Sequence, residues 1–155
     1  MLRNPWIVLA GFLLLCLAVG GIAGAFTASS VTTWYPTLIK PGFNPPNWLF
    51  APVWTTLYVL MAVAAWRGWR KGAAVNGAIG WFYVQLFLNF MWTFLFFSAH
   101  ALLIALIEIV LLWLAVAITL RAFWKIDRPA GLMLAPYLAW VSFATLLNAG
   151  FWWLN

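Results

Sequence analysis

Five apolar stretches of about twenty residues divide this 155-residue chain, and their recurrence restricts the fold more than any single motif. A helix rising about 1.5 Å per residue needs about twenty apolar residues to cross a bilayer. The stretches are read at residues 5–28, 46–66, 78–97, 101–123 and 130–153. With 67% hydrophobic and 6% charged residues, the chain has too little polar side-chain surface to cover a soluble core. The expected fold is all-α integral membrane: one domain over residues 1–155, a five-transmembrane-helix bundle with a long ordered loop between helices one and two.

The first stretch follows Arg3 and also fits a secretory leader, with Ala23-Gly24-Ala25 as a small-residue cleavage site. Its length is that of a span, which favours a retained helix. Gly20 and Gly24, with Gly21 and Ala25, keep a small-xxx-small spacing that lets helix backbones approach. Packing within the monomer is preferred over a dimer seam.

Between the first two stretches lies the longest interruption, WYPTLIKPGFNPPNW at residues 34–48. Each proline removes a backbone donor and pushes the residue before it out of the α region, so no helix runs through here. The aromatic content argues against disorder. An ordered lid is expected over residues 29–45. Pro45 and Pro46 are assigned to the first turn of helix two, with Asn44 as its N-cap and Pro52 bending its start.

Within the spans, polar residues carry the information. Trp54, Tyr58, Met61 and Ala65 share one face of helix two, and Gln85, Asn89 and Thr93 form a stripe on helix three beside Trp92 and Phe96. Amides in hydrocarbon are costly unless bonded, so the stripe faces other helices or a cavity. Both uses stay open. Glu108 lies about two turns into helix four. Intramembrane carboxylates are functional-site hypotheses by default; the plainer reading is a hydrogen-bonded group holding helix four to a neighbour. On helix five, Tyr137, Trp140, Ala144 and Leu147 or Asn148 share a face, and Pro136 is expected to kink the helix or free a carbonyl. His100 sits in a short hinge that makes helices three and four antiparallel, at an interfacial position.

Counting five spans puts Arg3, Arg67, Arg70, Lys71, Arg121, Lys125 and Arg128 on one side of the membrane and Lys40 alone on the other. The net charge of +6 therefore reports topology, not nucleic-acid binding. In a bacterial inner membrane the N-terminus is cytoplasmic, and the lid and C-terminus are outside. No internal repeat supports an inverted-repeat transporter.

The chain has two carboxylates, one histidine and one cysteine, Cys16. No nucleophile–base–acid set and no metal cluster can be assembled from them. The thirteen tryptophans and few amides suit a large, flat, mostly apolar ligand, a tetrapyrrole or a sterol. The alternative is that the indoles only fill helix interfaces.

Taken together, Trp34-Tyr35, Lys40-Pro41, Asn44-Pro45-Pro46, Pro52-Val53-Trp54 with Tyr58, Gln85-Leu86 with Asn89 and Trp92, Phe96-Phe97, Pro136-Tyr137-Leu138 with Trp140, and Ala144 with Leu147-Asn148 resemble the translocator protein or tryptophan-rich sensory protein family, TspO/MBR. The resemblance runs in order along essentially the whole chain. It implies a five-helix bundle, often a homodimer, with a pocket beneath the loop joining helices one and two. It implies tetrapyrrole ligands, protoporphyrin IX or haem-type, with no obligatory cofactor, and a part in tetrapyrrole sensing, transport or scavenging under stress. Pocket walls implied by the motif are Trp54, Asn89, Trp92, Trp140 and Ala144, with Asn148 and Tyr35 also assigned.

The resemblance also brings an alternative, light-dependent breakdown of protoporphyrin IX. Its physical form is an excited porphyrin stacked beside an indole, with Trp54 and Trp140 as the residues involved and no acid–base group required. A cholesterol- or lipid-binding role and a purely interaction role are further alternatives. Animal members carry a tyrosine and an arginine after the Leu-Asn pair. Here Ala149-Gly150-Phe151-Trp152-Trp153 follows, with neither, which argues against cholesterol handling through that motif. Val31, Tyr35 and Lys40 fit only a generic sterol pattern. Lys40 is read first as a surface lysine at the membrane edge; pairing with a porphyrin propionate is the alternative that the resemblance brings.

Overall fold

The computed structural model describes residues 4–155. Arg3, counted above with the basic side, lies outside the described residues. Five long helices account for most of the chain: α1 Pro5–Val31, α2 Phe50–Arg70, α3 Ala78–Thr93, α4 Leu102–Ile126 and α5 Arg128–Leu154. A wide π turn, Phe94–Ser98, extends α3. All five segments are long and apolar enough to cross a bilayer, so the chain is a multi-pass integral membrane protein.

The ends of the helices follow local chemistry. Asn4 caps α1 by accepting the Trp6 N–H at 3.0 Å, and Pro5 takes the first position, where a missing N–H costs nothing. The helix outlasts its expected end at residue 28 and reaches Val31. Thr27 and Ser29 return their hydroxyls to the carbonyls of Ala23 and Phe26, so these polar residues do not break it.

The start of α2 differs from expectation. Pro46 is extended (φ −63°, ψ 145°), a 3-10 turn occupies Asn47–Leu49, and the α-helix begins at Phe50. Pro45 precedes a proline and is pushed out of the α region, which delays the helix. It is therefore Pro52 that occupies the first α turn. Asn44 is not an N-cap; its Oδ1 accepts the Tyr35 hydroxyl at 2.7 Å inside the lid.

At the turn between the third and fourth helices, the Ala101 N–H reaches back to the Leu95 carbonyl at 2.9 Å, with His100 at φ 54°. This is a left-handed helix stop, and it makes α3 and α4 antiparallel. Asp127 separates α4 from α5, caps α5 through the Ala130 N–H, and forms an ion pair with Arg67 at 2.8 Å. The α5 helix continues through Pro136.

In the bundle α4 packs along both α3 and α5, α1 lies along α2, and α2 crosses onto α5. Small residues set the closest approaches. A Cβ at Gly20 would fall 2.6 Å from the Tyr58 ring, and one at Gly131 would fall 2.8 Å from the Trp124 backbone. Gly20 therefore serves packing within the monomer.

Candidate ligand-binding cavity

Beneath the lid lies a cavity of about 420 Å³, bounded by the upper halves of α1 and α2, the α3–π junction, and α5. That volume falls in the range of small-molecule sites, roughly 300–1,000 Å³. Its floor is the aromatic face foreseen on α2. Trp54 and Tyr58 border the space, while Met61 and Ala65 are buried below them. Trp92 reaches the cavity from α3, and Trp140 and Ala144 from α5.

Trp54 sits at the centre of this surface. Its ring centroid is 6.4 Å from those of Trp92, Trp140 and Tyr137, and 5.9 Å from that of Tyr58. The Trp140 plane stands at 90° to it. The indoles are held by bonds as well as by packing. Trp92 Nε1 donates to Asn148 Oδ1 at 3.0 Å, and Asn148 Nδ2 donates to the Leu102 carbonyl at 2.9 Å. Trp140 Nε1 is buried without a partner among the described residues.

Six of the seven expected wall residues border the cavity: Tyr35, Trp54, Trp92, Trp140, Ala144 and Asn148. Asn89 does not. Its Oδ1 accepts the Tyr58 hydroxyl at 2.6 Å and its Nδ2 donates to the Tyr137 hydroxyl at 2.7 Å, one layer behind the wall. The carboxamide is thus engaged in joining α2, α3 and α5. Thr93 of the same stripe does border the space, and Gln85 lies deeper, its Nε2 3.8 Å from Met61 Sδ. Glu108 is buried away from the cavity, with neither carboxyl oxygen bonded to a described residue. His100 is exposed and stacks on Trp34, centroids 4.1 Å apart and planes at 11°.

The lid is tied down at several points. Tyr35 packs on Phe97 and Phe151, and its hydroxyl donates to Asn44. Burial pushes its phenol up to about 12, with the bond to Asn44 pulling the other way. Lys40 Nζ lies 5.1 Å from the Tyr35 ring centroid, a cation–π position. Asn155 makes two hydrogen bonds of 2.9 Å to the backbone of Ile39, and Pro41 seats against Gly150, where a Cβ would fall 2.6 Å away.

Sequence reasoning missed the α1 wall, where Gly20, Gly21, Gly24, Thr27 and Ala28 border the cavity. The small-residue spacing was the signal there, but it pointed equally to helix contact. It also missed Phe143, which lies within the foreseen α5 stretch beside Ala144, Phe151, which extends that face by one turn toward the C-terminus, and the Asn155–Ile39 contact, which carries no local signature.

A five-span bundle with a pinned aromatic loop over a tryptophan-walled cavity defines a multi-pass integral membrane protein with an enclosed, largely aromatic space beneath its lid. The chain belongs to the TspO/MBR family, whose model matches residues 12–154. It is 46% identical over 138 residues to the tryptophan-rich protein TspO of Chlorobaculum tepidum, covering 86% of this chain and 87% of that protein. It is 40% identical to the tryptophan-rich protein TspO of Archaeoglobus fulgidus, covering 95% and 96%. The translocator protein of Bos taurus is 37% identical, covering 96% of this chain and 90% of that one.

Proposed function

We propose that this protein binds tetrapyrroles, protoporphyrin IX or a haem-type ring, in the cavity under the lid, and acts in their sensing, transport or scavenging under stress. The observation that carries the reading is the wall itself. Trp54, Trp92 and Trp140 converge on one space of about 420 Å³. Most polar groups around them are engaged elsewhere: Tyr35 with Asn44, Tyr58 with Asn89, Asn148 with Trp92 and Leu102. Such a surface favours stacking with a flat apolar ring over recognition of a charged one. Lys40, over the Tyr35 ring in the lid, is the cation proposed to pair with a propionate at that end. The sensory part of the reading agrees with the name of a relative, the tryptophan-rich sensory protein of Cereibacter sphaeroides, 38% identical.

Titration of the purified protein with protoporphyrin IX, read by tryptophan fluorescence, tests the proposal. Saturable quenching at micromolar ligand is expected, and no saturable quenching would defeat it. A second reading, light-dependent porphyrin breakdown, is supported by the 6.4 Å separations of Trp54 from Trp92 and Trp140, which gather oxidisable indoles at the proposed site. Illumination separates the two. Loss of the porphyrin spectrum that disappears in a Trp54→Phe, Trp140→Phe double variant supports breakdown; turnover unchanged in that variant rejects it. For orientation, in a bacterial inner membrane the basic end carrying Arg70, Lys71, Arg121, Lys125 and Arg128 is assigned to the cytoplasm.

A further inference from the structure

Helices α1 and α2 touch along only part of their length. At the basic end Trp66 Nε1 donates to the Pro5 carbonyl at 2.8 Å, and Trp6 stacks on Trp66. Midway, Gly20 receives the Tyr58 ring. Beyond that point the cavity lies between them. Gly21, Gly24 and Ala28 of α1, and Ala51 and Thr55 of α2, border the cavity and are at the same time exposed. A Cβ placed on Gly21 or Gly24 meets nothing within 4 Å. These positions belong to segments long and apolar enough to cross a bilayer, so the side they open on is the lipid-facing flank of the bundle.

The other sides are closed. Phe26 of α1 packs on Phe90 and Phe94, which seals the α1–α3 flank. Trp140 packs on Phe50 and Trp54, which seals the α2–α5 flank. Above, the lid is pinned by the Asn155–Ile39 pair, the Tyr35–Asn44 bond and the stack of Trp34 on His100.

We infer that the cavity is loaded sideways, through the gap between α1 and α2, by a planar apolar molecule already dissolved in the lid-side leaflet. The lid is the roof of the site and not its gate. This deepens the tetrapyrrole reading, on which it rests for the identity of the cargo: the ring slides in edge-first between glycine and alanine surfaces, its polar edge held at headgroup depth. An apolar ring already in hydrocarbon meets no desolvation barrier on this path, whereas a path through the lid requires at least four hydrogen bonds and stacks to part.

Two measurements test it. The first needs no tetrapyrrole. In vesicles of phospholipid brominated on the acyl chain, the fluorescence component removed by Trp54→Phe should be quenched in the wild type and largely protected in Ala51→Phe. Absence of that quenching in the wild type overturns the lateral opening. The second is stopped-flow exchange of protoporphyrin IX preloaded in vesicles. Gly24→Phe and the milder Ala28→Leu should slow association and dissociation together by about tenfold, a signature distinct from ordinary affinity changes, which fall mainly on dissociation. Asn155→Ala should leave both rates within about twofold of wild type on the same measure. An unchanged association rate in the mouth variants, or faster exchange in Asn155→Ala, overturns the inference whatever happens to affinity. If the wild type shows no porphyrin binding, the tetrapyrrole reading falls, and the bromolipid result still decides the opening.

Discussion

Asn155 grips Ile39 from both sides: the Ile39 N–H donates to Asn155 Oδ1 at 2.9 Å, and Asn155 Nδ2 donates to the Ile39 carbonyl at 2.9 Å. One side chain thereby satisfies both backbone groups of a loop residue, as a neighbouring strand would. Each bond contributes about 0.5–1.5 kcal/mol net. Asn155→Ala is expected to raise amide hydrogen exchange at Ile39 and in the lid residues around it while leaving the helices protected. Unchanged exchange there would mean the lid is held by its aromatic contacts alone.

The Trp92–Asn148 bond should matter to both stability and the cavity wall. Asn148→Leu removes the acceptor for the Trp92 indole and the donor for the Leu102 carbonyl, leaving two polar groups unpaired in the bundle. A loss of about 1–3 kcal/mol is expected, the lower end being typical of bonds between membrane helices. Thermal unfolding in detergent measures it, and an unshifted midpoint would show that both groups find other partners.

Ala144 is buried in the cavity wall. Ala144→Thr adds a methyl and a hydroxyl to a closely packed surface. Protoporphyrin IX should bind about tenfold more weakly, equivalent to about 1.4 kcal/mol, with little change in stability. Unchanged affinity would place the ring elsewhere in the cavity.

Asn89 is expected to behave as a structural residue whose effect on ligand is indirect. Asn89→Leu strands the hydroxyls of Tyr58 and Tyr137, whereas Tyr137→Phe strands only one amide N–H. The first should cost more stability than the second, on a scale of about 1–3 kcal/mol per unpaired group. The reverse order in unfolding experiments would contradict the assigned bonding.

The Arg67–Asp127 pair makes an acid-side prediction. The hydrogen bond from Arg67, together with its charge, holds the Asp127 carboxyl below its ordinary value of 3.8. A depressed carboxylate stabilises the fold above its unfolded value, and that contribution is lost as pH falls through the folded value. Stability should therefore be flat near neutrality with respect to this pair and decline below about pH 4. Asp127→Asn should remove that part of the decline. An acid profile identical in the variant would show that the pair contributes nothing, as many exposed pairs do.

The five spans, their order and their alternation were legible because the hydrophobic effect acts on composition. Twenty apolar residues must cross, and the basic clusters at 67–71 and 121–128 mark one end. The lid was legible because proline forbids helix whatever surrounds it. The start of α2 was misread at Asn44 for a related reason: the same side chain suits a helix cap and a tyrosine partner, and only the position of Tyr35 chooses.

The cavity was legible in part. The wall residues of α2, α3 and α5 were reached through the motif resemblance and through helical periodicity, and five of them meet at one space with Tyr35 of the lid. The place of Asn89 was not, since an amide on the right helix face is as ready to bond two tyrosines as a ligand. Which it does depends on Tyr58 and Tyr137, contributed by other helices.

The sequence alone determined that this protein lies in the membrane as five helices with a rigid aromatic break after the first, because hydropathy and backbone stereochemistry are local properties. Tertiary structure decided which polar groups are engaged with each other, where α1 and α2 part, and that Asn155 holds Ile39. Those outcomes depend on distances between side chains far apart in the chain, which no local pattern encodes.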